Sequence, residues 1–302
     1  MTPTHIGPYE VLRLLGRGGM AEVFRVKASS GRSQGREFAL KRLLPSLEAD
    51  PEAVRLFTAE ARLSRHLHHK NIVEVLDVVQ EGEGIFMVME LIDGRDVAQI
   101  IKRCRLKNVS WPIDFALYLT SVLLEALEYA HLATDPAGQA LNLVHCDVSP
   151  SNFFVSRTGD LKLGDFGVAR SLLESKATPV MGKPYYLSPE ALKGQLTQDV
   201  DLWAVAVTMY ELLTLRRPFH GRSPDEVYEA IRASRYTPLR ELREEIPPVL
   251  EGVLARAFHP DAHRRYSSAR AFSEALKPLF DERVGTPLAI SAVVRGLFGA
   301  SD

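Results

Sequence analysis

The chain has 302 residues, 46% of them hydrophobic and 25% charged, a composition that buries a core of ordinary size and excludes a largely disordered protein. A formal net charge of -1 excludes bulk electrostatic attraction to nucleic acid or to an anionic membrane. Two distant cysteines, Cys104 and Cys146, without companion metal-type ligands, exclude a disulfide framework and a zinc site and fit a reducing, cytoplasmic setting.

In chain order, the first residues lack the basic flank and apolar run of a secretory leader. Residues 9–15, 21–28, 37–43, 73–79 and 85–90 are apolar runs set off by turn signals and are predicted strands. One helix is predicted among them, over 51–67, where Val54, Phe57, Ala61, Leu63 and Leu67 fall near helical spacing behind an Asp50-Pro51 start. After the Asp93-Gly94 turn the pattern turns helical, with periodic segments at 115–132, 199–215, 225–233, 248–258 and 268–280. Residues 142–170 are rich in short apolar runs and turns, which suits two small strands joined by functional loops. Residues 29–36 and 133–140 are expected to be exposed loops. The most apolar window, 202–215, is shorter than the roughly 20 residues of a membrane span and contains Glu211. The expected fold class is therefore α+β: a small, β-rich first part with one main helix, then a larger, mainly α-helical part.

The glycine-rich segment Gly16-Arg17-Gly18-Gly19-Met20-Ala21-Glu22-Val23 lies between two predicted strands. A dinucleotide-binding fold would place a helix after the glycines, whereas Val23-Phe24-Arg25-Val26 continues as strand. A strand-loop-strand flap over nucleotide phosphates fits better, because missing side chains let backbone N–H groups approach an anion; a flexible hairpin is the plainer alternative. Lys41 ends the apolar strand Phe38-Ala39-Leu40-Lys41, and Glu60 sits in the middle of the lone helix. A Lys41–Glu60 pair aimed at the α and β phosphates accounts for both, although solvated surface positions are the commoner fate of such residues.

Two further segments are decisive: His145-Cys146-Asp147-Val148-Ser149-Pro150-Ser151-Asn152 and Asp165-Phe166-Gly167. With them the sequence resembles the eukaryotic-like (Hanks-type) protein kinases, in particular their bacterial serine/threonine members. The likeness runs over 9–280 and takes in Ser188-Pro189-Glu190, Asp201-Leu202-Trp203 and Arg265. It implies a bilobal kinase fold with an N-lobe at 9–92, a C-lobe at 93–280 and a tail at 281–302. It also implies ATP and Mg²⁺ (or Mn²⁺) as cofactors and a protein bearing serine or threonine as substrate, including the chain itself.

By this resemblance Asp147 accepts or orients the substrate hydroxyl, while Asn152 and Asp165 hold the metal. Adenine is expected between Val23 and Ala39 on one side and Phe154 on the other, against the connector Glu90-Leu91-Ile92; Gly16 and Gly18 cover the phosphates. Met89 takes the gatekeeper position and Asp96 the ribose; for Met89 and Phe154, core packing is an equal alternative. Glu190–Arg265 matches a structural ion pair, and Asp201 matches the aspartate that braces the catalytic loop.

The pattern departs at three positions. Cys146 replaces the arginine that commonly grips an activation-loop phosphate, so activity is not expected to depend strictly on phosphorylation of Thr178, near Ser171 and Ser175. Ser149 replaces the lysine that neutralises the γ phosphate, and Lys183 stands where a threonine is usual. The two positions face each other in the family, so an exchange of roles, with Lys183 supplying the cation from the opposite side, is the expectation; simple loop lining is the alternative. Ala21 at the third loop glycine is a mild change. Two other functions compete: a pseudokinase scaffold, and a small-molecule phosphotransferase. Against the first stand Lys41, Glu60, Asp147, Asn152 and Asp165, and against the second the peptide-shelf segment at 182–190. The tail is expected either to pack as an amphipathic helix on the α part or to dock a partner. No oligomeric state, substrate protein or upstream signal is legible in the residues.

Overall fold

The computed structural model describes residues 4–81, 84–166, 170–171 and 183–299. The chain folds as two compact units, Met1–Asp93 and Gly94–Asp302.

The first unit is an antiparallel sheet of six strands: β1 (His5–Ile6), β2 (Tyr9–Arg17), β3 (Ala21–Ala28), β4 (Glu37–Leu43), β5 (Val75–Glu81) and β6 (Gly84–Met89). Their order is β1-β2-β3-β4-β6-β5. Alternation of side chains along each strand gives the sheet two apolar faces. Phe24, Val26, Phe38, Leu40 and Val88 form one core with Ile6. Ala21, Leu43, Val75 and Met87 form the other against helix α1 (Pro51–Ser64) through Ala53, Phe57 and Ala61. Asp50 caps α1 by accepting from the Glu52 and Ala53 N–H groups, and Pro51 occupies the first turn, where no N–H is needed. The helix ends three residues short of the predicted 67. His66 N–H bonds Leu63 O and Leu67 N–H bonds Ser64 O, so the chain tightens into i→i+3 turns there.

The second unit holds eight helices among its described residues. They are α2 (Val97–Lys107), α3 (Ile113–His131), α4 (Asp199–Thr214), α5 (Pro224–Arg232), α6 (Leu239–Leu242), α7 (Pro248–Ala257), α8 (Ala269–Leu276) and α9 (Pro287–Phe298). α3 and α4 form its centre, and α4 is buried on nearly every side, which is why its sequence reads as a continuous apolar run. Trp203 on α4 stacks on Phe219 at 5.3 Å. α2 was not among the predicted helices, yet Val97, Ile100, Ile101 and Cys104 are its buried stripe at helical spacing, and Asp96 caps it through Gln99 N–H.

The stretch 142–170, expected to hold two strands, contributes to two small sheets. β9 (Phe153–Ser156) lies between β10 (Leu161–Leu163) and β7 (Gly94–Asp96), and β8 (Leu143–Val144) pairs with β11 (Arg170–Ser171). Gly94 is required by the close approach of β7 to β9, since a Cβ there would meet Val155 O at 2.0 Å. α9 packs on the second unit with Ile290, Ser291, Val294 and Leu297 buried. Ser291 Oγ donates to Arg157 O at 2.6 Å, and Arg103 Nε donates to Leu297 O at 2.9 Å. No helix among the described residues is long and apolar enough to cross a membrane.

Candidate active site

In the first unit the glycine-rich segment is the β2–β3 hairpin, closed by Gly18 N–H donating to Ala21 O at 2.8 Å. A Cβ added at Gly16 or Gly19 would meet nothing within 4 Å, so internal packing does not demand glycine there. What the missing side chains leave open is the backbone surface itself, the property an anion-covering loop needs. The ladder aligns Gly16 with Val23, Val23 with Lys41, and Ala39 with Met89. Lys41 lies on the α1 side of the sheet, and its Nζ donates to Glu60 Oε1 at 2.6 Å. Both side chains are buried, so the helix and the strand hold the ammonium at a fixed place. Met89 packs against the core beneath α1, and Glu90 ties the connector back through its backbone N–H to Glu74 O at 3.0 Å. Ile92, the last residue of that connector, is half-buried.

On the other face of the same sheet, Glu22 accepts two hydrogen bonds from Arg42 at 3.0 Å and pairs with Arg17. Burial would raise its pKa, but the two guanidinium groups hold the carboxyl below its ordinary range.

In the second unit Asp201, fully buried on α4, organises the segment that begins at His145. Its Oδ2 accepts from His145 N–H and from His131 Nε2, both at 2.8 Å, and its Oδ1 accepts from Cys146 N–H at 2.9 Å. Those bonds pin Cys146 in the left-handed region, φ 64°, where a non-glycine residue stays only if its surroundings enforce it. Asp147 follows directly. Its Oδ2 accepts from Asn152 Nδ2 at 2.8 Å and from Lys183 Nζ at 2.9 Å. Its Oδ1 is buried and has no partner among the described residues.

Lys183 Nζ also donates to Ser149 Oγ at 2.9 Å and lies 3.5 Å from Asn152 Oδ1. The two unusual positions, Ser149 and Lys183, are thus in direct contact. Asn152 also donates from Nδ2 to Asp147 O at 2.8 Å, which fixes the amide with its oxygen as the remaining acceptor. Asp165, at φ 61°, follows Gly164, whose N–H donates to Asn152 O at 2.8 Å. An amide oxygen and a carboxylate are the hard donors that Mg²⁺ or Mn²⁺ takes, so the two residues fit such an ion. Asp96 and Phe154 face each other as register partners in the β7–β9 pair. Burial raises the Asp96 pKa against its backbone hydrogen bonds.

Glu190 and Arg265 form a two-pronged pair at 2.7 and 2.9 Å, with the guanidinium 4.7 Å from the Trp203 ring centroid. Gly167, Ser175, Thr178 and Gly182 lie outside the described residues, as does the side chain of Ser171. His131 is a positioning residue that no sequence motif marked. It lies 70 positions from its partner Asp201, so no local pattern could reveal it.

Residues 9–277 match the protein kinase domain family. The chain belongs to the protein kinase family. Within it, the resemblance is to Hanks-type bacterial kinases. The chain is 34% identical to Tyrosine-protein kinase MasK of Myxococcus xanthus, over 97% of this chain and 46% of that protein. It is also 34% identical to a probable serine/threonine-protein kinase of Streptomyces coelicolor, over 97% of this chain and 43% of the relative. Serine/threonine-protein kinase PrkC of Bacillus subtilis is 30% identical over 91% of this chain and 41% of its own length. The chain spans less than half the length of these relatives. The kinase fold accounts for the β-sheet unit with one long helix and for the helical second unit.

Proposed function

We propose that the chain is an ATP-dependent protein kinase that phosphorylates serine or threonine of protein substrates, itself included, in the cytoplasm. The observation that carries this reading is the Asp147 carboxylate. One oxygen is held by Asn152 and Lys183, while the other is buried and unpartnered among the described residues. A buried, unpaired acceptor is costly, about 1–3 kcal/mol, and a substrate hydroxyl donating to Oδ1 would relieve that cost while being oriented for attack. Phosphoryl transfer asks little covalent chemistry of the protein, so positioning and charge suffice.

In this reading Lys41, braced by Glu60, anchors the α and β phosphates under the Gly16–Gly18 hairpin. Val23, Ala39, Glu90, Ile92 and Phe154 take the adenine and Asp96 the ribose. Asn152 and Asp165 hold Mg²⁺ or Mn²⁺, which when bound neutralises charge on the phosphates. Lys183 meets the γ phosphate in place of the lysine that Ser149 replaces.

Acceptor identity has a second reading, because the name of one relative specifies tyrosine while two others specify serine/threonine. Transfer of labelled phosphate from ATP to a generic protein and to the chain itself, followed by phosphoamino-acid analysis, tests both. Phosphoserine or phosphothreonine is expected, with Asp147→Asn reducing transfer by roughly 10²–10⁴. Phosphotyrosine alone would overturn the acceptor assignment, and ATP binding without any transfer would favour the scaffold reading.

A further inference from the structure

The second unit contains a cavity of about 960 Å³ whose lining includes Arg105, Arg216, Arg217, His220 and Arg243, with Cys104 in its wall. No carboxylate is among its described lining residues. The nearest acid on α4, Glu211, is buried and committed: Oε1 accepts from Arg105 Nη2 at 2.8 Å and Oε2 from Tyr186 OH at 2.5 Å. Arg243 is occupied by Trp111 O, Leu213 O and Glu245. Arg216, Arg217 and His220 are exposed, in the segment that follows the left-handed Leu215, φ 57°. The surface a ligand meets is therefore cationic, and the carboxylates paired with its arginines, Glu211 on Arg105 and Glu245 on Arg243, are already engaged.

This cavity adjoins the acceptor site through a short stretch of chain. Lys183, which contacts Asp147, is followed by the turn Pro184–Tyr186. The Tyr185 ring lies under the Arg217 guanidinium at 4.1 Å, and Tyr186 holds Glu211. The arginine wall is thus linked to the Lys183–Asp147 contact through Tyr185 and Tyr186, two and three positions further along the chain.

We propose that this cavity reads anionic side chains of the protein substrate, so that the kinase prefers acceptors flanked within a few residues by acidic groups. The inference rests on the kinase reading given above and names its substrate class. Guanidinium groups in such a wall recognise carboxylate and phosphate alike, so glutamate, aspartate or a previously phosphorylated residue supplies the same chemistry.

The test uses the full chain and synthetic peptides with one serine, flanked on either side by glutamate, phosphoserine, alanine or arginine. Steady-state transfer from ATP gives KM and kcat, and fluorescence anisotropy of the same peptides gives binding without turnover. Glutamate or phosphoserine peptides should show a KM at least about tenfold below the alanine peptide at low salt, shrinking as salt screens the exposed charges. The Arg216→Glu/His220→Glu variant should abolish the preference with kcat for the alanine peptide within about twofold, and Arg216→Lys should keep most of it. Thermal melting identifies a variant that fails to fold, in which case Arg216→Ala replaces it. A preference seen with phosphoserine alone upholds the proposal and assigns phosphate as the anion. Equal KM for all peptides, or a preference untouched by charge reversal, overturns it. Anionic peptides that bind tightly to the cavity and are never phosphorylated would uphold the cavity while refuting the kinase reading.

Discussion

Lys183 offers the sharpest test of the phosphate site. Its Nζ lies 2.9 Å from Asp147 Oδ2 and 2.9 Å from Ser149 Oγ. The side chain is 39% exposed, so this ion pair contributes at most about 1 kcal/mol to folding after solvent screening. A cation meeting the transferring phosphoryl group is a different matter: removing one preorganised donor costs about 3–4 kcal/mol of transition-state stabilisation, or roughly 10²–10³ in rate. Lys183→Met should therefore lower kcat by about two orders of magnitude with little change in melting temperature or in KM for ATP. The contact with Ser149 makes the stronger prediction. Ser149→Lys/Lys183→Thr, which restores the arrangement usual in the family, should recover most of the lost turnover, whereas Lys183→Thr alone should not. Rates from a quenched-flow or steady-state phosphate assay on wild type and these three variants suffice. Full turnover in Lys183→Met, or a double variant no faster than Lys183→Thr, would refute the exchange of roles.

Other outcomes follow from buried groups. Glu190→Gln leaves the Arg265 guanidinium, 1% exposed, without its carboxylate, and should cost about 3–5 kcal/mol in chemical denaturation; an unchanged midpoint would contradict it. Glu22 has a folded pKa below its ordinary 4.5, so its contribution is complete above that value and is lost as pH falls through the depressed one. Glu22→Gln should then destabilise the first unit by about 1–3 kcal/mol at neutral pH, with the gap to wild type narrowing below pH ~4; a constant gap would show the carboxylate is not responsible. Burial pushes the Cys104 thiol up to about 11. At pH 8 only on the order of one thiol in a thousand is then ionised, and mass spectrometry after iodoacetamide treatment should find Cys104 unlabelled until the protein is unfolded.

Much of the site was legible because its residues lie on short, ordered segments whose local pattern fixes their placement. Lys41 ends an apolar strand and Glu60 lies mid-helix, so only the strand and the helix needed to be right for the pair to meet. Asp147, Ser149 and Asn152 share one tight loop. Their contact with Lys183 spans more than thirty residues, and it was legible only through the matched departures at Ser149 and Lys183. What escaped was of two kinds. α2 was passed over because five charged or polar residues interleave its apolar stripe, and the very short strands β8 and β11 carry too few residues for any period to show. The contact of His131 with Asp201 and the basic cavity gather groups from distant helices. Their chemistry depends on which faces of α2, α4 and the loops between meet, a tertiary fact that no window along the chain contains.

The match to the protein kinase domain family ends at residue 277, but burial continues to Leu297. Phe298 sits near two guanidinium groups, Arg95 at 5.3 Å and Arg103 at 5.6 Å, and Lys107 donates to Gly296 O. The first residue of α9 lies so close over the β9–β10 turn that a Cβ at Gly159, φ 93°, would strike Pro287 O. Two segments that share an interface of this kind cannot drift independently in evolution. Changes on the outer surface of α2 must be matched by changes in α9, so that among near relatives the sequence of one is expected to track the other. A gene fragment cut after residue 277 would strip α2 of its cover and expose an apolar seam to the solvent.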